Sequence, residues 1–148
     1  MKGYDNSIKR LLLIAGVAEI VVGLSHFGMP YFAYQARGFA LLSQKESDFV
    51  TLCVFAVGIL LIAFGSVTIL FALNARDEMV LPYAVIQSIL WLARIILEIV
   101  YPVQVSLFHI ENPARVVMTL LVAEWLLFTL AAIFTAMDKT RCRTSDGL

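Results

Sequence analysis

Residues 116–137 read VVMTLLVAEWLLFTLAAIFTAM, an apolar run whose only charged residue is Glu124. An α-helix needs about 20 such residues to cross the roughly 30 Å of hydrocarbon in a bilayer. The chain contains three more apolar runs of similar length before it, at residues 11–29, 49–73 and 79–101. The predicted fold class is therefore an all-α membrane protein, in which four transmembrane helices form an up-and-down bundle as a single domain over residues 1–148.

The composition supports a polytopic membrane protein whose main partner is the lipid bilayer. Of the 148 residues, 61% are hydrophobic and 15% are charged, and the mean hydropathy is +0.88. The formal net charge is zero. Nucleic acid is excluded as a partner, because phosphate binding needs clustered Lys and Arg.

Helix-end signals separate the four runs. Ser43-x-x-Glu46 predicts a capping box before the second run, and Asn112-Pro113 offers an N-cap and a first-turn proline for the fourth. Residues 30–47 are predicted to form an outer interfacial loop, which acts either as an aromatic membrane anchor or as a lid over the bundle.

Basic residues outside the runs predict the orientation. Seven lie on the side of both termini and of the connection at 73–79, namely Lys2, Lys9, Arg10, Arg76, Lys139, Arg141 and Arg143. Three lie on the other side, namely Arg37, Lys45 and Arg115. This asymmetry predicts that both termini are cytoplasmic. The expected location is the bacterial inner membrane.

Ionisable residues inside the runs mark the candidate site, because such groups are costly in hydrocarbon and usually face a site or pathway. Glu19 and His26 share one face of the first helix, since they lie seven residues apart. The third helix carries a polar stripe in which Arg94 and Glu98 lie four residues apart, so their side chains can form an ion pair. The predicted ligand-binding residues are Glu19, His26, Gln87, Trp91, Arg94, Glu98 and Glu124.

Counting depth along each helix predicts two layers. Glu19, Arg94 and Glu124 form a central layer, while His26 and Glu98 lie nearer the outer surface. The second helix has no charge within its run, and its small or polar residues favour close packing over chemistry. These residues are Thr51, Cys53, Gly58, Gly65 and Ser66.

The charges of this site do not balance. Arg94 cannot neutralise Glu19, Glu98 and Glu124 together, so at least one carboxyl group is expected to hold a proton or to meet a cation or ligand. The structural alternative is that these groups only join helices by hydrogen bonds and ion pairs.

No metal is predicted, and the sequence does not identify a cofactor. His26, Glu98 and His109 would be the ligands if a metal were bound, but the Glu-x-x-His pairs of di-iron bundles are missing. The sequence also lacks nucleotide-binding, serine-nucleophile, zinc-protease and dithiol motifs.

The stretch Gly23-Leu24-Ser25-His26-Phe27-Gly28-Met29-Pro30 resembles the end of the first span in small DoxX-like membrane proteins. The resemblance covers about 25 residues together with the four-span layout. It implies a four-helix bundle with both termini inside, a role near membrane redox or stress metabolism, and a protein partner.

Three classes of function stay open. The one favoured is the binding or transport of a small amphipathic ligand or of protons, because the charged groups are spread over three helices. The second is an intramembrane acid–base enzyme acting on a sterol, isoprenoid or quinone, with Glu19, His26 and Glu124 as catalytic residues. The third is an accessory subunit that joins a homo-oligomer or a larger membrane complex.

Overall fold

The computed structural model describes residues 2–33, 41–74, 78–102 and 112–145. These ranges contain four helices. Their bounds are α1 Lys2–Ala33, α2 Gln44–Leu73, α3 Val80–Val100 and α4 Pro113–Ser145. All four are long and apolar enough to cross a membrane, so the prediction of an all-helical membrane protein is confirmed in this respect.

The helix starts follow the predicted signals. Ser43 caps α2, because its hydroxyl accepts from the backbone N–H of Glu46 and the Glu46 carboxylate accepts from the backbone N–H of Ser43. Pro113 is the first residue of α4, where its missing N–H costs nothing. In both helices the sequence signal lies in the first turn and determines where the helix begins.

The segment predicted as an interfacial loop at 30–47 is partly helical. α1 continues through Pro30 to Ala33, since a proline so close to the end removes only a hydrogen bond of the last turns. α2 begins at Gln44. Tyr31 and Leu41 on either side of the connection are highly exposed. Residues 34–40, on which the lid and anchor hypotheses mainly rest, lie outside the described residues.

The helices pack in the order α2, α1, α4, α3. Gly16 lies against Gly65 and Gly23 against Gly58, which makes α1 and α2 antiparallel. The Ser88 and Thr129 hydroxyl oxygens lie 2.8 Å apart, and the Lys139 ammonium donates to the Glu78 carbonyl at 3.1 Å. These two contacts show that α3 and α4 are antiparallel. Phe71 near the end of α2 packs on Tyr83 near the start of α3, so the start of α1 and the end of α4 lie at the same end of the bundle.

The fourth side of the bundle, between α2 and α3, differs from the predicted simple arrangement. The backbones of these two helices approach less closely than those of the other sequence neighbours. Side chains join them instead, since the Tyr83 ring packs on Phe71 with ring centroids 4.6 Å apart. The apolar core lies along the inner faces and includes Leu12, Trp91 and Phe128.

Candidate functional site

Glu19 lies at the meeting point of three helices. Its side chain is 1% exposed. The Thr68 hydroxyl of α2 donates to Glu19 Oε2 at 2.8 Å, and the Trp91 indole N–H of α3 donates to Glu19 Oε1 at 3.3 Å. Both carboxyl oxygens therefore accept hydrogen bonds from neutral donors.

A chain of hydrogen bonds extends from Glu19 along the gap between α2 and α3. The Thr68 and Tyr83 hydroxyl oxygens are 2.6 Å apart, and Gln87 Nε2 donates to the Tyr83 hydroxyl at 3.0 Å. The Phe64 carbonyl lies 2.8 Å from the Thr68 hydroxyl and 3.2 Å from the Tyr83 hydroxyl. This network of side chains links the two helices whose backbones stay apart.

Glycines bring Thr68 within reach of Glu19. A Cβ atom placed on Gly65 would lie 2.6 Å from the Gly16 carbonyl oxygen, so the two backbones are in direct contact at this crossing. Glu19 and Thr68 each lie three residues beyond the crossing, on opposite sides of it because the helices are antiparallel. Their side chains tilt toward the N-terminus of their own helix, which directs both back toward the crossing, where they meet. The close approach that the sequence predicted for Gly58 and Gly65 is confirmed, and it places a hydroxyl donor on the carboxyl group.

Glu124 is the second buried carboxyl group of this region. It is 4% exposed and shares the inner face of α4 with Leu121, Phe128 and Ala131. Its carboxyl group is close enough to that of Glu19 for their charges to interact. Glu124 Oε2 is buried and has no hydrogen-bond partner among the residues that the structure describes. The site thus contains one carboxyl group that accepts two hydrogen bonds and one that has a free oxygen in the described structure.

Arg94 pairs with Glu98, as the i,i+4 spacing indicates. Arg94 Nη2 lies 2.9 Å from Glu98 Oε2, with Glu98 buried and the Arg94 side chain 41% exposed. Within the described ranges no ion pair joins Arg94 to Glu19 or Glu124. The central layer predicted from depth is therefore divided in the structure. Glu19 and Glu124 have no positively charged partner among the described residues, and Arg94 is paired with Glu98 nearer the end of α3.

His26 lies away from these groups. Its Nδ1 atom is 2.7 Å from the Val22 carbonyl oxygen, so this ring nitrogen carries the donated proton. Its Cβ would lie 3.0 Å from a Cβ added to Gly58, at the contact between α1 and α2. Across the part of the chain that is described, the structure brings no carboxyl group onto His26. His26 and Glu98, which were predicted to form an outer layer, therefore do not contact each other in the described structure.

The described residues contain no group of three His, Cys, Asp or Glu side chains that could hold a metal ion. His109, the third residue of the hypothetical metal set, lies outside them. The buried oxygens of Glu19 and Glu124 are too few to replace the six or more oxygen ligands that calcium prefers.

Two residues of the site were missed by sequence reasoning, Thr68 and Tyr83. Thr68 shares the inner face of α2 with the packing glycines Gly58 and Gly65, and this is a signal that sequence reasoning could have used. Tyr83 lies four residues before Gln87 and extends the polar stripe of α3 by one turn. Neither signal specifies which helix the hydroxyl group faces.

Comparisons of the chain with protein-family models, with curated proteins and with solved structures find no match. The function is therefore inferred from the geometry of the site.

Proposed function

We propose that this chain is an integral membrane protein that binds or transports a small ligand or protons at a site formed by Glu19 and Glu124. One observation carries the proposal. Glu124 presents a buried carboxyl oxygen without a hydrogen-bond partner in the described structure, beside a second buried carboxyl group. An uncompensated buried carboxyl pair is costly, and proteins keep such groups in membranes mainly for function.

The charge of the site favours a positively charged partner. Glu19 accepts only from the neutral donors Thr68 and Trp91, and Arg94 is paired with Glu98. A proton or a small cationic ligand would relieve the repulsion between the two carboxyl groups. An anion would increase it. Gln87 and Trp91 contribute through the hydrogen bonds that surround Glu19.

The enzyme and accessory-subunit hypotheses receive less support. Acid–base catalysis on a lipophilic substrate needs a carboxyl group and His26 at one point, whereas the contacts of His26 lie along α1 and against Gly58. A purely structural role predicts fully paired carboxyl groups, whereas Glu124 Oε2 has no partner in the described residues. The DoxX-like resemblance stays a prediction.

The proposed orientation places both termini in the cytoplasm of a bacterial cell, with the protein in the inner membrane. It is supported by the seven basic residues on the terminal side against three on the other. A green fluorescent protein fused after Leu148 should fluoresce, and an alkaline phosphatase fusion there should be inactive. An active alkaline phosphatase fusion together with a non-fluorescent green fluorescent protein fusion would show that the topology is the reverse of the one proposed.

Transport is tested with purified protein in liposomes that contain a pH-sensitive dye. A potassium diffusion potential drives proton entry, and the wild-type protein should raise the rate of acidification above that of empty liposomes. Glu19→Gln and Glu124→Gln should remove this increase, because each removes one carboxylate. Asp48→Asn, at an exposed position near the start of α2, is the matched control.

Ligand binding is tested by native mass spectrometry of the detergent-extracted protein. A co-purified small cation should be present on the wild-type protein and missing from both Gln variants. If both variants keep full proton flux and any bound ligand, the site lies elsewhere and the proposed function fails.

A further inference from the structure

The two carboxyl groups of the site have different surroundings, and this difference assigns them different roles. We infer that Glu124 is the group that takes up and releases the proton, while Glu19 stays a carboxylate that holds the negative charge of the site. The inference rests on the proposed function, and it names the ligand of the site as a single exchangeable proton.

Glu19 is as deeply buried as Glu124, but unlike Glu124 it has two donors that favour its ionised form. Thr68 and Trp91 donate to its two oxygens, and Trp91 can only donate. When Glu19 is ionised, Thr68 donates to it, and in one arrangement of the remaining protons Gln87 donates to Tyr83 and Tyr83 to Thr68. Hydrogen bonds aligned in this way polarise one another toward the carboxylate. The Tyr83 hydroxyl can also donate to the Phe64 carbonyl.

Glu124 lacks such donors. Its Oε2 atom has no partner in the described residues, and its neighbours on the inner face of α4 are Leu121 and Phe128. Hydrogen bonds to the charged form stabilise a carboxylate, whereas burial in an apolar environment favours the neutral acid. Of the two groups, Glu124 is therefore the one that holds the proton.

The charged and titratable groups around the pair favour one bound proton. α1 contributes Glu19, α4 contributes Glu124, and α3 contributes Tyr83 together with the Arg94–Glu98 ion pair. α2 contributes the neutral hydroxyl of Thr68. With no basic side chain directed at the pair in the described structure, the negative charges of the two carboxylates repel each other inside a low dielectric, and one proton removes that repulsion.

The step is a simple proton exchange. A hydronium ion in the water at one face of the membrane breaks one O–H bond as an O–H bond forms on the Glu124 carboxylate, and a water molecule is left. The new O–H bond breaks when the proton passes to a water molecule at the other face, which becomes hydronium. Glu19 keeps its charge and its two donors throughout. No electrons move, and no other reactant is required.

Infrared difference spectroscopy tests the assignment, because a protonated carboxyl group has a carbonyl stretch that a carboxylate lacks. The purified wild-type protein at neutral pH should show this band. Glu124→Gln should abolish it, and Glu19→Gln should leave it in place. Glu98→Gln is the matched control, since Glu98 is as buried as Glu19 but is ion-paired with Arg94, so the band should remain.

A wild-type protein without the band would overturn the inference. So would a band that survives Glu124→Gln, or one that disappears in Glu19→Gln. If Glu124→Gln does not fold, Thr68→Val provides a second test, because loss of the 2.8 Å donor should let Glu19 also bind a proton and the band should grow. An unchanged band in Thr68→Val would contradict the role given to the donors.

The two proposals fail separately. If the band follows Glu124 but liposomes show no proton flux and no ligand is bound, the proton assignment stands and the transport proposal fails. If flux depends on both carboxyl groups but the band follows Glu19, the site is functional and the assignment is wrong.

Discussion

Replacing Gly65 by Ala should separate α1 from α2 at the crossing that positions the site. The added Cβ would lie 2.6 Å from the Gly16 carbonyl oxygen and 3.0 Å from the Ile20 backbone nitrogen. An ordinary carbon–oxygen contact is about 3.3 Å or longer, so the helices must move apart by roughly 0.7 Å. Two of the three nearest atoms belong to the backbone and cannot rotate away.

Two opposing terms decide the sign of the stability change. Ala favours a helix over Gly by about 1 kcal/mol. Overpacking costs about 1–3 kcal/mol, and contact with rigid backbone places this crossing at the upper end of that range. The expected result is a net loss of about 1–2 kcal/mol in the free energy of unfolding, together with a longer Thr68–Glu19 hydrogen bond.

The assay is reversible unfolding of the purified protein in mixed micelles with increasing SDS, followed by circular dichroism. Ala63→Leu is the control, because it enlarges a side chain on the exposed face of the same helix and should change stability by less than about 0.5 kcal/mol. A Gly65→Ala protein as stable as the wild type, or more stable, would refute the backbone contact between Gly16 and Gly65.

Three further changes test other parts of the structure. Ser43→Ala removes the cap of α2 and should cost about 0.5–2 kcal/mol, seen as faster hydrogen exchange in the first turn of α2. Arg94→Gln leaves Glu98 buried without its cation, and since the Arg94 side chain is 41% exposed the loss should be about 1–3 kcal/mol in the SDS titration. Trp91→Phe removes the indole donor to Glu19 and should cost about 1 kcal/mol in the same titration.

Each of these changes has an outcome that contradicts its reasoning. Unchanged exchange in Ser43→Ala would mean that the capping box does not fix the start of α2. If Arg94→Gln does not lower stability relative to the exposed charge control Lys45→Gln, the ion pair does not stabilise Glu98. A Trp91→Phe protein with wild-type stability would mean that the 3.3 Å hydrogen bond from Trp91 to Glu19 does not stabilise the fold.

Features that depend on neighbouring residues were predictable. The capping box at Ser43 and the start of α4 at Pro113 follow from the first turn of each helix. The Arg94–Glu98 pair follows from the 3.6-residue period, which brings residues four apart together on any α-helix. Long apolar runs likewise determine helices, since a bilayer leaves no other way to satisfy the backbone.

The partners of Glu19 and Glu124 could not be predicted in this way. Depth counting placed Arg94 with them, because it measures position along an axis and says nothing about rotation around it. The structure directs Arg94 to its own helix and turns Thr68, Trp91 and Tyr83 toward Glu19. A rotation of α1 by a single residue would have changed both contacts of Glu19, with Thr68 and with Trp91.

The sequence by itself determined that this protein has four apolar helices, where two of them begin, and that carboxyl groups outnumber Arg94 inside the spans. Only the tertiary structure decided which carboxyl group receives donors and which is left with a free oxygen. The physical reason is that hydrogen bonds between helices depend on their register and rotation. In α1 and α2 these are set by the contacts of Gly16 with Gly65 and of Gly23 with Gly58.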